Sequence, residues 1–312
     1  MSSTDNINAT TDTSCCASCG IAEIDDVKLK ECDDCDLVKY CSDECQENHK
    51  SEHEEVCKKR AAELRDELLF KQPESSHHGD CPICSIPLSV DVEKSTISSC
   101  CSKVFCNGCS YANQEREIEM RLEESCPFCR EPVPNTKEEG YKQRMKRVEA
   151  NDPVAIRREG TERYIKGEYI KAFEYWTMAA ELGDVDAHFR LSIAYLDGRG
   201  VEKNEGKGTY HLEEAAIGGH PTARYILGRA ELENRNAERA VKHWIIAATQ
   251  GQDESMKILM TKFRDGFVSK EVLAATLRAH KTAVDATKSP QRELAEKFEQ
   301  FKKEQIKKDA GK

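Results

Sequence analysis

The sequence contains no apolar stretch near the roughly 20 residues that a membrane helix needs, so no membrane role is expected. Only 6% of its 312 residues are aromatic and 38% are hydrophobic, against 33% charged. That is lean for a globular chain and argues against one large core. About two ordinary domains would fit the length. Residues 1–14 are rich in Ser, Thr, Asn and Asp and lack the apolar segment of a cleaved export signal. A disordered tail and an intracellular setting, cytoplasmic or nuclear, are expected from that. Basic residues are in deficit, 47 Lys and Arg against 57 Asp and Glu, for a net charge of −10. Phosphate contacts need a basic surface, so a nucleic-acid partner is not expected. No glycine loop suited to cradling phosphate occurs, and no motif sets a histidine beside a nucleophile. No catalytic residue is assigned.

What the chain has in excess is cysteine: sixteen residues, all between Cys15 and Cys129 and none beyond. Most fall in CxxC or CxxxC pairs. A disulfide framework has no reason to favour two-residue gaps. A tetrahedral zinc ion does, because one tight knuckle then supplies two thiolates to one metal. Zinc is the expected cofactor.

The first block reads Cys16-x2-Cys19, Cys32-x2-Cys35, Tyr40-Cys41-x3-Cys45-Gln46 and His53-x3-Cys57. Those eight donors suffice for two zinc ions. The block resembles a MYND-type zinc finger along its whole length, notably in Tyr40, Gln46 and the final His-x3-Cys. The resemblance implies alternating pairs: Cys16, Cys19, Cys41 and Cys45 on one metal, and Cys32, Cys35, His53 and Cys57 on the other. Lys50 stands where that family usually carries a tryptophan, which bears on a peptide-binding groove and not on the metals. Cys15 is left spare, and His49 reads as a solvated helix residue.

The second block runs Cys81-Pro82-Ile83-Cys84, Cys100-Cys101, Cys106-x2-Cys109 and Cys126-Pro127-Phe128-Cys129-Arg130. It resembles a RING finger. The family's cross-brace implies Cys81, Cys84, Cys106 and Cys109 on one zinc, with Cys126 and Cys129 sharing the second with donors between Cys84 and Cys106. The family's usual Cys-x-His corresponds to Cys101 and Lys103 here, and an ammonium cannot ligate zinc. Cys100 is the substitute, although adjacent side chains tend to diverge; the alternative is a site completed by water or left empty. About four zinc ions per chain are expected. The resemblance also implies binding of a ubiquitin-conjugating enzyme, with apolar contacts from Ile83 and Pro127 and a bridging cation at Arg130. The bland alternative is that Ile83 and Pro127 only shape the knuckle and Arg130 is solvated.

Beyond Pro153 the chain repeats itself. Ala179-Ala180 recurs as Ala215-Ala216 and Ala247-Ala248, followed at a fixed distance by Gly183, Gly219 and Gly251. Trp176, Leu212 and Trp244 precede each pair, so both tryptophans of the protein occupy one repeat position. The period is 36 and then 32 residues, as expected for paired helices stacked into a solenoid. The phrase Leu191…Tyr195…Gly198-x-Gly200-Val201, followed by an Ala-Ala…Gly helix end, resembles the Sel-one-like repeat, a relative of the tetratricopeptide repeat. A degenerate further pair is expected to about Thr287. A final helix with Leu294, Phe298 and Phe301 in one stripe is expected to cap the solenoid.

The expected fold class is therefore multi-domain, with two small zinc-stabilised α+β modules followed by an all-α helical-repeat solenoid. Its boundaries are a disordered tail at 1–14, a MYND-like finger at 15–57, a helical linker at 58–78 and a RING-like finger at 79–134. A second helical linker at 135–152, a Sel-one-like solenoid at 153–289 and a C-terminal helix and tail at 290–312 complete it. Within the first linker a helix is predicted over 58–72. His77-His78 reads as plain linker, with a metal role the alternative, and the basic run Lys142–Arg147 as a solvated helix face, with a nuclear import signal the sharper alternative. The expected function is a protein-binding adaptor that acts as a RING-type ubiquitin ligase. The rivals are a non-enzymatic scaffold and a transcription-linked co-regulator.

Overall fold

A computed structural model describes residues 15–23 and 28–310; the tail expected at 1–14 and residues 311–312 lie outside the described residues. The chain divides into two compact units, residues 1–71 and residues 72–312.

In the first unit, β1 (Lys30–Glu31) pairs antiparallel with β2 (Lys39–Tyr40), Lys30 opposite Tyr40 and Glu31 opposite Lys39. Helix α1 (Asp43–Phe70) follows, its N-terminus capped by Ser42, whose Oγ accepts the Cys45 N–H at 3.2 Å. No Gly or Pro interrupts that stretch, so nothing stops the helix between the cysteine block and the charged segment after it. The helix predicted over 58–72 is its second half. The core here is cysteine more than hydrocarbon: Cys16, Cys32, Cys35 and Cys57 surround Tyr40.

The second unit opens with another cysteine module. Strand β3 (Ser95–Ile97) pairs antiparallel with β4 (Val104–Cys106), and α2 (Asn107–Glu119) follows at once. Only Leu88 and Phe105 join the cysteines in its buried core. Helix α3 (Lys137–Glu149) begins at a reciprocal cap between Thr136 and Glu139. Its basic run is less solvated than expected. Arg144 reaches the fully buried Glu159 at 3.1 Å, and Arg147 pairs with Asp152 at 2.6 Å.

The repeats are antiparallel helix pairs: α4 (Pro153–Ile165) with α5 (Tyr169–Glu181), α6 (Val185–Asp197) with α7 (Glu205–Ile217), and α8 (Pro221–Glu233) with α9 (Ala237–Thr249). Helices α10 (Asp253–Arg264) and α11 (Lys270–Ala286) extend the array. The second helix of each pair buries its Ala-Ala step and its Trp176, Leu212 or Trp244. Gly183, Gly219 and Gly251 then turn the chain at φ 84°, 87° and 93°, where a Cβ is disfavoured. The next residue caps the following helix each time: Asp184, His220 and Gln252 accept the N–H of Ala187, Ala223 and Ser255.

Helix α12 (Pro290–Ala310) departs from expectation. It packs on α2 of the second cysteine module and does not simply cap the repeats. Phe298 stacks near Tyr111 with ring centroids 5.1 Å apart, while Leu294 and Phe301 remain more than half exposed. The stripe is split because α12 rotates Ala295 and Arg292 into the contact.

Candidate metal centres

Four groups of donor atoms converge, each within 4.8 Å: Cys16, Cys19, Cys41, Cys45; Cys32, Cys35, His53, Cys57; Cys81, Cys84, Cys106, Cys109; and Cys100, Cys101, Cys126, Cys129. Metal–sulfur bonds of about 2.3 Å in a tetrahedron imply sulfur–sulfur edges near 3.8 Å. Several separations match: Cys32 to Cys57 is 3.7 Å, Cys81 to Cys109 is 3.8 Å, and Cys84 to Cys106 is 3.9 Å, while Cys19 to Cys41 is closer at 3.5 Å. A disulfide would need about 2.05 Å, and all sixteen cysteines are free. The donor chemistry fits zinc, which supplies structural cross-linking in such sites.

Local backbone geometry makes each knuckle. His53 and Cys57 lie one turn apart on α1, and Cys35 Sγ meets His53 Nε2 at 3.2 Å. Burial pushes the Cys16 thiol up, but N–H groups of Cys19 and Cys41 outweigh it and bring the value down to about 6. Cys41 is pushed up to about 12 by its neighbours Cys19 and Cys45. Burial first, then Cys32 and Cys35, push Cys57 up to about 12. Thiols this close cannot all ionise unaided, and a dication removes the conflict.

In the second module, the Cys106 N–H donates to Cys81 Sγ at 3.4 Å, and Cys106 Sγ caps α2 by accepting the Cys109 N–H at 3.4 Å. Burial raises Cys81 and Cys126, yet donors to each sulfur hold both near 7: the Cys106 and Cys84 N–H groups for Cys81, and the Ser98 hydroxyl and Cys129 N–H for Cys126. The adjacent Cys100 and Cys101 do converge. Ser102 adopts φ 56° and its N–H donates to the Ser98 carbonyl at 3.0 Å. This tight turn brings Cys100 Sγ to 3.3 Å from Cys129 Sγ, and Cys101 Sγ to 3.9 Å from Cys126 Sγ. Lys103 instead lies over the Phe128 ring, 5.9 Å from its centroid.

The remaining sequence-picked residues fall as follows. Ile83 is 40% exposed on the opening knuckle, and Pro127 is half-buried on the closing one. Arg130, at φ 64°, donates through Nη1 to Asn113 Oδ1 at 2.7 Å, so α2 holds its guanidinium. Asn113 Nδ2 and Glu117 Oε1 also clasp Ser125, at 3.0 Å to its carbonyl and 3.1 Å from its N–H. Cys15 is exposed and outside the clusters, as expected of a spare residue. Lys50 pairs with Glu47 at 3.2 Å on the surface. His49 lies on α1 outside the donor groups, but it is half-buried: its Nδ1 lies 3.1 Å from Tyr40 Oη, and its ring stacks on His53 at 5.7 Å.

One further cluster joins His77 to partners that no local pattern marks. His77, expected to be plain linker, meets Asp186 Oδ1 through Nε2 at 3.1 Å and stacks on His220 with centroids 4.5 Å apart. His220 Nε2 reaches the same oxygen at 3.4 Å. These three could pass for metal ligands. They fit a hydrogen-bonded clasp better, because His220 Nδ1 accepts the Ala223 N–H and its proton therefore sits on Nε2, leaving no lone pair there. Arg157 already neutralises Asp186 at 3.1 Å. The available signals were the His77-His78 pair itself and the capping slot that His220 shares with Asp184 and Gln252; nothing local joined the two.

Residues 16–57 match the MYND finger family, and residues 158–184, 185–220 and 223–252 match the Sel1 repeat. The chain is thus a zinc-binding protein that carries a MYND finger and a Sel1-repeat solenoid, an architecture suited to protein interaction. Among solved structures it is similar to a Sel1 repeat protein from Oxalobacter formigenes, at 26% identity and a TM-score of 0.43, over 49% of this chain and 66% of that one. It is also similar to a protective antigen present in uropathogenic Escherichia coli strains displaying an SLR fold, at 23% identity and a TM-score of 0.37, over 53% of this chain and 37% of that one. In both cases the chain spans less than two thirds of the other protein's length. Among the described residues no helix is long and apolar enough to cross a membrane.

Proposed function

We propose that the chain is an adaptor whose second cysteine module acts as a RING-type ubiquitin ligase, while the MYND finger and repeats bind protein partners. The observation that carries this reading is the interleaving of the two donor sets, Cys81/Cys84 with Cys106/Cys109 and Cys100/Cys101 with Cys126/Cys129. In this reading those eight cysteines, with Cys16, Cys19, Cys32, Cys35, Cys41, Cys45, His53 and Cys57, hold four zinc ions. Such a module needs no nucleophile of its own; it would hold a conjugating enzyme and orient the ubiquitin thioester. Exposed Ile83 supplies apolar contact and Arg130 a cation on the opposite knuckle.

The test is purified chain with activating enzyme, a panel of conjugating enzymes, ubiquitin and ATP. Chain formation that falls in Ile83→Ala and Arg130→Ala supports the reading; no chain formation with any conjugating enzyme overturns it. A second reading, a purely structural scaffold, is favoured by the Arg130–Asn113 bond, which ties the exposed guanidinium back to α2 of its own module. Activity that survives Arg130→Ala unchanged would favour a ligase that does not use this cation.

A further inference from the structure

The first turn of α12 buries a guanidinium inside the second cysteine module. Arg292 is 9% exposed. Its Nη1 donates to the carbonyls of Pro87 and Thr287, each at 2.7 Å. Its Nη2 donates to the Ile86 carbonyl at 3.0 Å and to Cys84 Sγ at 3.6 Å. Nε is buried with no hydrogen-bond partner. The approach is close enough to dictate a second residue: a Cβ on Gly108 of α2 would lie 2.9 Å from Arg292 N and Cγ. Nearby, Lys94 and Glu296 form an ion pair at 2.8 Å.

Burying a guanidinium is costly unless a counter-charge is fixed beside it. The sulfur of Cys84, 3.6 Å from Nη2, is the one group beside it that metal binding turns into a fixed anion. A zinc ion held by four thiolates leaves a net charge of about −2 on the centre. A rigid guanidinium fork against one of those sulfurs offsets part of that charge and fixes the sulfur's direction. Groups that hydrogen-bond metal ligands are worth about 10- to 100-fold in metal affinity.

We propose that Arg292 is a positioning residue of the Cys81–Cys84–Cys106–Cys109 zinc centre, and that zinc occupancy of this centre and docking of α12 are linked. The chain end thereby closes the second module, and each event strengthens the other by the same factor. The inference rests on the metal reading of these four cysteines. It stands whether or not the module takes part in ubiquitin transfer.

The test uses the full chain loaded with zinc and mixed with excess chromogenic chelator. In Arg292→Met, one of four zinc ions should leave about tenfold faster than in the parent chain, with the other three and the helix content unchanged. Arg292→Lys, which keeps the charge without the fork, should fall between. With cobalt in place of zinc, Arg292→Met should shift the sulfur-to-cobalt absorption band, which a merely structural contact would not do. In the parent chain, metal removal should speed hydrogen exchange in α12. Equal release from parent and Arg292→Met, or equal acceleration of all four ions, overturns the proposal. So does α12 protection that ignores the metal. A parent chain whose Cys81 centre takes up no zinc overturns both the proposal and the metal reading beneath it.

Discussion

Gly160 lies directly under the indole of Trp176: a Cβ at position 160 would sit 2.7 Å from the ring. Gly228 and Trp244 repeat the relationship two helix pairs along the solenoid, where the Trp244 Nε1 donates to the Tyr225 carbonyl at 3.2 Å. Each glycine stands eight residues after a capping position, Asp152 or His220, and the equivalent residue after Asp184 is Ser192. There Leu212 replaces the tryptophan, so the small partner can be larger. Gly-to-Ala inside a helix ordinarily gains about 0.5–1 kcal/mol. Here overpacking wins, and Gly160→Ala and Gly228→Ala should each cost about 1–3 kcal/mol. Denaturant unfolding followed by tryptophan fluorescence reads this; stabilisation by either variant would refute the packing account.

The fully buried Glu159 accepts from Arg144 of α3 and Arg163 of its own helix, at 3.1 and 2.7 Å. Removing one member of a buried ionic group leaves the rest uncompensated. Glu159→Ala should lower stability by about 3–5 kcal/mol, whereas Glu54→Ala, which removes only an exposed pair with Lys58 on α1, should leave stability nearly unchanged. Parallel denaturation curves for the two variants decide it.

Metal content should be about four zinc ions per chain by elemental analysis. Cys101→Ala should drop it to about three, because the fourth donor group then loses the sulfur that lies 3.9 Å from Cys126 Sγ. Cys15→Ala should leave it unchanged, since Cys15 lies outside every cluster. Equal zinc in the parent and Cys101→Ala would mean that the adjacent-cysteine site does not use both sulfurs.

Two histidines of the second unit are held neutral. Burial, then the neighbouring His77, lowers His78 to about 4; burial, then His188, lowers His211 to about 4. His188 and His211 approach at 3.0 Å between Nδ1 atoms, which suits one donor and one acceptor and not two cations. The unfolded chain binds these protons near pH 6.5 and the folded chain does not. Their contribution is therefore intact above pH 6.5 and falls as pH drops toward 4. His211→Gln should flatten that slope without altering zinc content, a distinction that urea titrations at several pH values can draw. An unchanged slope would exclude His211 as a source.

Much of the site was legible because zinc chemistry is local. A knuckle needs two thiolates on one tight turn, so Cys81-x2-Cys84 or Cys126-x2-Cys129 announces itself in four residues. Repeat structure is likewise written in the chain, since each unit must bury the same face, and Ala179-Ala180, Ala215-Ala216 and Ala247-Ala248 record it. The unbroken α1 was harder: the absence of Gly and Pro permits continuity but does not require it. His49, whose helix position alone suggests a solvated face, is drawn in by Tyr40 and His53 only once the finger folds.

The sequence by itself determined the metal-binding knuckles, the helix pairs and their period, because these depend on spacings within a few turns of chain. Tertiary structure alone decided which distant segments meet. Convergence of Cys100 and Cys101 depends on the Ser102 turn, and the clasp of His77 with Asp186 and His220 joins residues over a hundred positions apart. The seating of Arg292 against Cys84 spans two hundred, and it turned a presumed solenoid cap into part of the second zinc module. Such contacts are fixed by the shape of packed surfaces and by where a buried charge finds its counter-charge, and neither is encoded in any local pattern.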